Sequence, residues 1–249
     1  MNDLISIITP TYNCGKFIGR TIESVQRQNY HDWEMIIVDD CSTDNTEEIV
    51  NEYRRNDIRI KYYKLEINSG AAVARTESMK LAKGRYMAFL DSDDIWYPEK
   101  LNAQLSYMKN NDIAFSCTAY EQIDEEDNLI GKTVRPPKRT SYNRLLLDCP
   151  VGNSTVMYNV DKMGKFEVPN IRKRNDDALW LAMLKKEKYI VSMPDVLMRY
   201  RVRQNSISSN KIDLIKYHWK LYREIEHLSV PKSAFHVGYW CFIKVLKIK

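Results

Sequence analysis

The feature that most constrains this chain is a short hydrophobic strand running straight into acid: Tyr86-Met87-Ala88-Phe89-Leu90 is followed at once by Asp91-Ser92-Asp93-Asp94. Two earlier segments share the pattern. Leu4-Ile5-Ser6-Ile7-Ile8-Thr9, ended by Pro10, leads into Thr11, Tyr12 and Asn13, and Glu34-Met35-Ile36-Ile37-Val38 leads into Asp39-Asp40. Continuous apolar, β-branched runs of this length suit strands buried on both faces. Helical spacing fills the gaps: Phe17, Ile18, Ile22 and Val25, then Ile49, Val50 and Tyr53 behind the N-cap candidates Ser42, Thr43, Asp44 and Thr46. Residues 59–64 read as a third strand, and residues 71–83 as a helix stopped by Gly84. Strand and helix alternate, which predicts βαβ units and an α/β fold with a mostly parallel central sheet flanked by helices.

The second half changes character. Pro98 can open a helix carrying Leu101, Leu105 and Met108, and Ile113, Phe115, Cys117 and Ala119 alternate as in a half-buried strand. Residues 124–128 form a polar turn, and residues 135–139 a basic, proline-bearing loop suited to a mobile cover. A helix is expected over 177–186, a strand over 189–200, and helix again after about Lys211. The expected organisation is one domain over residues 1–210 and a helical C-terminal extension over 211–249.

Composition excludes several classes. With 44% hydrophobic residues in 249, and only eight glycines and eight prolines, a core can form and collagen-like or disordered readings fall away. The surplus of 38 Lys+Arg over 33 Asp+Glu is too small and scattered to indicate nucleic acid. Five widely separated cysteines without CxxC spacing indicate neither a disulfide framework nor a zinc site. No basic flank and long apolar stretch marks a secretion signal, and no segment approaches the roughly 20 apolar residues that span a bilayer, so a cytoplasmic location is expected.

In open α/β sheets ligands bind beyond the carboxyl ends of the strands, where this sequence puts its polar residues. In an extended segment Asp91 and Asp93, at i and i+2, point to one side. Two such carboxylates repel unless a cation lies between them, and a hard divalent ion, Mg²⁺ or Mn²⁺, takes oxygen ligands and bridges to substrate phosphates. The plain alternative is a helix start in which Asp94 caps the turn ahead of Pro98. There is no GxxxxGK[ST], and Gly15 with Gly19 is not GxGxxG, which excludes a P-loop ATPase and counts against a dinucleotide oxidoreductase.

Four blocks in order carry a family resemblance: Ser6-Ile7-Ile8-Thr9-Pro10-Thr11-Tyr12-Asn13, Ile36-Ile37-Val38-Asp39-Asp40-Cys41-Ser42-Thr43-Asp44, Asn68-Ser69-Gly70-Ala71-Ala72-Val73-Ala74-Arg75, and residues 84–94 with their Asp-x-Asp. With Arg174-Asn175-Asp176 and Trp180-Leu181 further on, the chain over about residues 4–205 resembles the inverting family 2 glycosyltransferases of bacterial surface-polysaccharide type, which have the GT-A (Rossmann-like) fold. The resemblance implies that Thr11 and Tyr12 border the nucleotide base, commonly uracil, and that Asp39 hydrogen-bonds it. It implies Arg75 near the base or phosphate, Asp91 by the ribose, and Asp93 on the metal that holds the diphosphate. The family's general base is an aspartate in a Glu-Asp or Gln-Asp pair at a helix start, with an aromatic residue several positions later. Here Asn175-Asp176 with Trp180 favours Asp176, and a one-residue shift makes Asp177 the rival; the plain alternative is that both merely favour a helix N-terminus.

Relatives often carry histidine where this chain has Arg203, within Tyr200-Arg201-Val202-Arg203-Gln204-Asn205-Ser206. A guanidinium there would bind the diphosphate directly; otherwise Arg199, Arg201 and Arg203 form a solvated edge. The function implied is a metal-dependent, inverting hexosyltransferase. It would move glucose, galactose or an N-acetylhexosamine from a UDP-linked nucleotide-sugar donor to a glycan acceptor hydroxyl in O-antigen or capsule assembly. Many family members use an acceptor on a polyprenyl diphosphate at the cytoplasmic leaflet. The Asn175 departure leaves a second reading, a non-catalytic nucleotide-sugar or glycan-binding protein. In the tail, Lys216, Lys220, Arg223, Lys232, Lys244, Lys247 and Lys249 stand beside Trp219, Tyr222, Phe235, Tyr239, Trp240 and Phe242, which suits peripheral membrane contact or a helix packed on its own core.

Overall fold

The computed structural model describes residues 3–203 and 211–245, with the side chains of 211 and 212 excepted. β1 (Ile5–Thr11), α1 (Gly15–Gln26), β2 (Trp33–Asp39), α2 (Thr46–Asn56), β3 (Ile60–Lys64), α3 (Ala71–Leu81) and β4 (Tyr86–Phe89) alternate as the periodicities predict. They build a parallel sheet in the order β3-β2-β1-β4, in which Thr11 pairs with Asp39 and Ile8 with Phe89.

Then come β5 (Ile95–Trp96), α4 (Lys100–Asn110), β6 (Phe115–Ile123), β7 (Leu129–Val134), β8 (Arg139–Thr140) and α5 (Tyr142–Leu147). A 3₁₀ turn (Asn153–Thr155), β9 (Met157–Asn159), α6 (Val160–Met163), α7 (Asn175–Leu184) and β10 (Ile190–Arg201) follow. β9, antiparallel to both β4 and β6, joins the two halves into one sheet, and β10 lies parallel to β6. The C-terminal segment contains α8 (Lys211–Lys220), a π-helical turn (Leu221–Ile225) and α9 (Val230–Val245).

Strand parity divides the core into two layers. Ile5, Ile7, Met35, Ile37, Tyr86 and Ala88 face Ile18, Ile22, Leu101 and Leu105 on α1 and α4. Ile8, Ile36, Val38, Met87 and Phe89 face the opposite way, onto Ala72 and Ala74 of α3 and Leu179, Trp180 and Met183 of α7. Leu221 and Tyr222 belong to this second layer, and the Tyr222 hydroxyl donates to the Leu146 carbonyl at 2.8 Å. The expected boundary at 210/211 falls at the edge of residues 204–210, outside the described residues.

Several local expectations are corrected. β1 continues through Pro10 to Thr11, because Pro10 has the parity of Ile8, whose carbonyl faces β4, and β4 pairing ends at Phe89. The missing N–H therefore costs no ladder bond. The N-cap of α2 is Asn45, without a side-chain cap. Phe115 to Ala119 of β6 are buried on both faces, not half-buried: Phe115 and Cys117 lie in the second layer, while Ser116 accepts from Gln104 of α4 at 2.9 Å. The 135–139 loop is tied down, Arg135 donating to the Pro194 carbonyl at 2.6 Å and Arg139 pairing with Val191.

Gly84 does not cap α3, which ends at Leu81 with Ala82 extended. It is needed for close approach: a Cβ there would lie 2.6 Å from the Ser6 nitrogen and 2.7 Å from the Leu4 carbonyl oxygen. Both obstacles are backbone of β1 or the residue before it, so neither can step aside cheaply. Gly84→Ala is expected to lower unfolding stability by about 1–3 kcal/mol, read from the denaturant midpoint.

Candidate active site

The loops that follow the carboxyl ends of β1, β2 and β4 lie together and are bonded to each other. The Asn13 amide donates to Ser42 Oγ at 2.8 Å, Asn13 Oδ1 accepts from the Thr43 amide at 2.8 Å, and the Cys14 thiol donates to the Ser92 carbonyl at 3.2 Å. Asn13 and Cys41 adopt the left-handed backbone region, uncommon for residues with a Cβ, and both lie in these loops. Tyr12 stands out of the loop, 49% exposed, whereas Thr11 is buried with its hydroxyl unpartnered.

Asp39 is 0% exposed, and its carboxylate accepts from the Ser42 amide at 2.7 Å and the Tyr62 hydroxyl at 2.6 Å. It holds the loop that carries Ser42 and anchors the Tyr62 hydroxyl of β3. Asp40, also buried, accepts from the Ser69 and Gly70 amides at 2.6 and 2.7 Å and so fixes the turn into α3. Gly70 has φ +93° there, a conformation that favours glycine.

Residues 91–94 form a turn closed by the Asp94 amide on the Asp91 carbonyl at 3.1 Å, not the extended segment expected. The turn sends its three carboxylates to different partners. Asp91 Oδ1 accepts from Arg75 Nη2 at 3.0 Å and from Asn153 Nδ2 at 2.7 Å. Asp93 Oδ2 pairs with Arg203 Nε at 2.9 Å. Asp94 is buried, accepting from Ser154 Oγ at 2.5 Å and the Arg201 amide at 2.9 Å, so it braces β10 and caps no helix. Burial pushes the Asp91 carboxyl up to about 6 against the pull of Arg75, with the charges of Asp93 and Asp176 adding to the rise. Asp93 is raised by burial with Arg203 opposing, and Asp94 is raised well above the carboxylate range by burial and by Asp93 and Asp91. Burial is the largest cause in all three, and the guanidiniums of Arg75, Arg203 and Arg201 oppose it at Asp91 and Asp93.

The arginines of β10 and its continuation are not a solvated edge. Arg201 is buried; it donates through Nε to the Asp93 carbonyl at 2.8 Å, reaches Asp127 at 2.5 Å and stacks 4.8 Å from the Phe17 ring centroid. Arg203, 5.5 Å from the same ring, turns to Asp93. The remainder of that motif, Gln204-Asn205-Ser206, lies outside the described residues.

Arg75 ties the far side together. This buried guanidinium donates Nη2 to Asp91 and Nη1 to Asn175 Oδ1, so the start of α7 is bonded to the acidic turn. Asn175 begins a helix whose N-cap, Arg174, is left-handed at φ 63°. Asp177 is buried: it pairs with Arg174 Nη1 at 3.1 Å, and burial with the Asp176 charge pushes it up to about 6. Asp176 is half-exposed, lies within electrostatic reach of Asp91, and has no hydrogen bond or ion pair among the described residues. Trp180 lines no crevice. It is fully buried, edge-on to Phe89 at 4.9 Å, and locks the rotation of α7 against the sheet.

The sequence reading missed Asn153 and Ser154, and named Arg174 and Arg201 within longer motifs without giving either the contacts found here. Gly152-Asn153-Ser154-Thr155 is a polar run just before a strand, which was its only signal. As to metal, no three His, Cys, Asp or Glu side chains converge among the described residues. Mg²⁺ or Mn²⁺ needs only one or two carboxylates when substrate phosphates and water complete its shell. Asp93, whose present partner is Arg203, offers one such hard oxygen donor and fits that requirement.

Replacing Arg75 by methionine removes the fork between Asp91 and Asn175 at similar length. Arg75→Met is expected to cost about 2 kcal/mol in unfolding stability, between the values for exposed and fully buried pairs.

Comparison with known proteins agrees with this geometry. The family model described as Glycosyl transferase family 2 matches residues 6–168. TuaG of Bacillus subtilis (strain 168), named for teichuronic acid biosynthesis, is 44% identical over 98% of this chain and 95% of its own length. WfgD of Escherichia coli, named as a UDP-Glc:α-D-GlcNAc-diphosphoundecaprenol β-1,3-glucosyltransferase, is 42% identical over 95% of this chain and 92% of its own. Among solved structures, S. aureus TarS 1–349 in complex with UDP superposes with TM-score 0.70 at 22% identity, over 94% of this chain and 69% of that one. A mannosyltransferase from Pyrobaculum calidifontis, in complex with GDP-Man and Mn²⁺, gives 0.67 at 16% identity, over 96% and 69%. The chain belongs to glycosyl transferase family 2 and has its GT-A fold.

Proposed function

We propose that this protein is a metal-dependent, inverting hexosyltransferase that moves one sugar from a UDP-linked donor to a hydroxyl of a glycan carried on a polyprenyl diphosphate, at the cytoplasmic face of the membrane. UDP-glucose is the donor to test first, because WfgD and WfaP, 42% and 39% identical, are both named for it and for a diphosphoundecaprenol acceptor. The observation that carries the reading is the contrast at the start of α7. Asp176 is half-exposed, unpaired among the described residues and within electrostatic reach of Asp91, while its neighbour Asp177 is buried against Arg174.

In this reading the exposed Tyr12 ring stacks on the base and Thr11 lies beneath it. Asp39, fixed by the Ser42 amide and the Tyr62 hydroxyl, hydrogen-bonds the base through its remaining acceptor sites. Arg75 keeps Asp91 oriented toward the ribose, and Asp93 is the metal ligand. Held there by Asp93, Mg²⁺ or Mn²⁺ would supply neutralising charge to the departing diphosphate. Arg203, already beside Asp93, adds a guanidinium to that charge. Asp176 takes the acceptor hydroxyl proton as the oxygen bonds to the anomeric carbon and the carbon–diphosphate bond breaks on the opposite face, which inverts the centre. Asn175 has a task of its own, accepting from Arg75, so its departure from an acidic residue does not favour a decayed site.

Two measurements test this. Asp176→Asn is expected to lower kcat by about 10²–10⁴-fold with donor KM near that of the unchanged protein, whereas Asp177→Asn mainly alters Tm; the reverse pattern assigns the base to Asp177. In a thermal-shift panel of UDP-, GDP- and dTDP-sugars, UDP-glucose with Mn²⁺ is expected to raise Tm most, and EDTA to abolish the shift. A shift without turnover across plausible lipid-linked acceptors would favour a nucleotide-sugar-binding protein instead.

A further inference from the structure

The aromatics of the C-terminal segment divide sharply between two faces of α9. Inward go Trp240, Ser233 and Ile243, with the Trp240 ring 4.5 Å from His218. Outward go Phe235 at 62% exposure, Phe242 at 58%, Tyr239 and Val245, at positions i, i+7, i+4 and i+10 of one helical stripe. The Phe235 and Tyr239 rings stack on each other at 6.4 Å, with the His236 ring edge-on to Phe235 at 5.4 Å. Three large apolar side chains in a row on a free helix face are not scattered surface residues, which are common and need no explanation.

Charge indicates what covers this face. Residues 229–249 contain Lys232, Lys244, Lys247 and Lys249 and no acidic side chain; Lys244 pairs with Asp148 at 3.9 Å, and Lys232 is exposed at the head of the stripe. A second copy of this chain on the same face would bring like charges together across a two-fold axis. An anionic bilayer accepts both components, aromatic rings at headgroup level and ammonium groups among phosphates. No helix among the described residues is long and apolar enough to cross a membrane, so α9 would lie in the interface plane.

We infer that the Phe235–Tyr239–Phe242 face of α9 is a docking surface for anionic phospholipid, and that it sets the candidate active site at the bilayer. The link is short. The Arg174 guanidinium sits 5.7 Å from the Trp240 ring centroid on the inner face of α9, and Arg174 is the N-cap of the helix that carries Asp176. One side of α9 meets lipid while the other packs against the entry to the proposed base. This orientation rests on the lipid-linked acceptor reading above; the lipid contact itself does not.

The test uses the full chain and vesicles of phosphatidylcholine with or without 30% phosphatidylglycerol, containing neither donor nor acceptor. Its result is thus independent of whether sugar transfer is the activity. The unchanged protein should sediment with anionic vesicles and far less with neutral ones. Phe235→Ser/Phe242→Ser should lower partitioning by about tenfold or more, with an unaltered far-UV spectrum and monomeric mass. Leu129→Ser/Ile130→Ser removes exposed apolar side chains from β7 instead and should bind as the unchanged protein does. If the double serine variant of α9 does not fold, Lys232→Glu replaces it and should weaken binding in a salt-sensitive way. Equal sedimentation of the α9 variants, absence of binding to anionic vesicles, or a dimer that the α9 variants convert to monomer would each overturn the inference, the last assigning the face to a second copy.

Discussion

Three carboxylates within four residues, at the mouth of a buried strand, are the constraint around which this molecule is arranged. Asp91, Asp93 and Asp94 repel each other in a partly desolvated place, and each is satisfied from a different direction. Arg75 comes from α3, Arg203 from beyond β10, and the Arg201 amide and Ser154 hydroxyl close over Asp94. An acidic turn of this kind is stable only because the sheet brings those donors to it.

Arg75 extends this arrangement to the chemistry proposed. One guanidinium reaches both Asp91 and Asn175, so the helix bearing Asp176 cannot shift without breaking a buried bond. Trp180 locks the same helix from below, against Phe89 at the end of β4. The acidic turn and the start of α7 are thereby held by one polar tie and one apolar wedge, both anchored on the same strand. In the proposed mechanism, donor and acceptor sides of the reaction are kept in register by that pair of contacts. The C-terminal helices continue the chain of support, since Trp240 of α9 underlies Arg174.

Much of this was legible in the residues. The alternation of apolar strands and amphipathic helices over residues 5–89 predicted the parallel half of the sheet, and the acidic clusters behind Val38 and Leu90 located the candidate site. Harder to read were positions whose role depends on a distant partner. Gly84 read as a helix stop, yet it is a contact with β1, set by chain returning to lie against Ser6. Cys117 read as one side of a half-buried strand because Ser116 and Thr118 are polar, although both are buried, with Gln104 of α4 donating to Ser116. Asp39 and Asp40 read alike, but each is taken up by a different loop.

The sequence alone determined the fold class, the strand ends that lead into the candidate site, and the group of acidic and basic residues that would meet there. Those follow from hydrophobic period and from residue type, which are local properties of the chain. Tertiary structure decided which carboxylates remain available. Asp176 and Asp177 are neighbours with the same side chain, and Asp177 is buried against Arg174 while Asp176 is left open. It likewise decided which aromatics of the tail turn inward and which stay uncovered. Burial and pairing are made by contacts between segments far apart in sequence, and no local pattern encodes them.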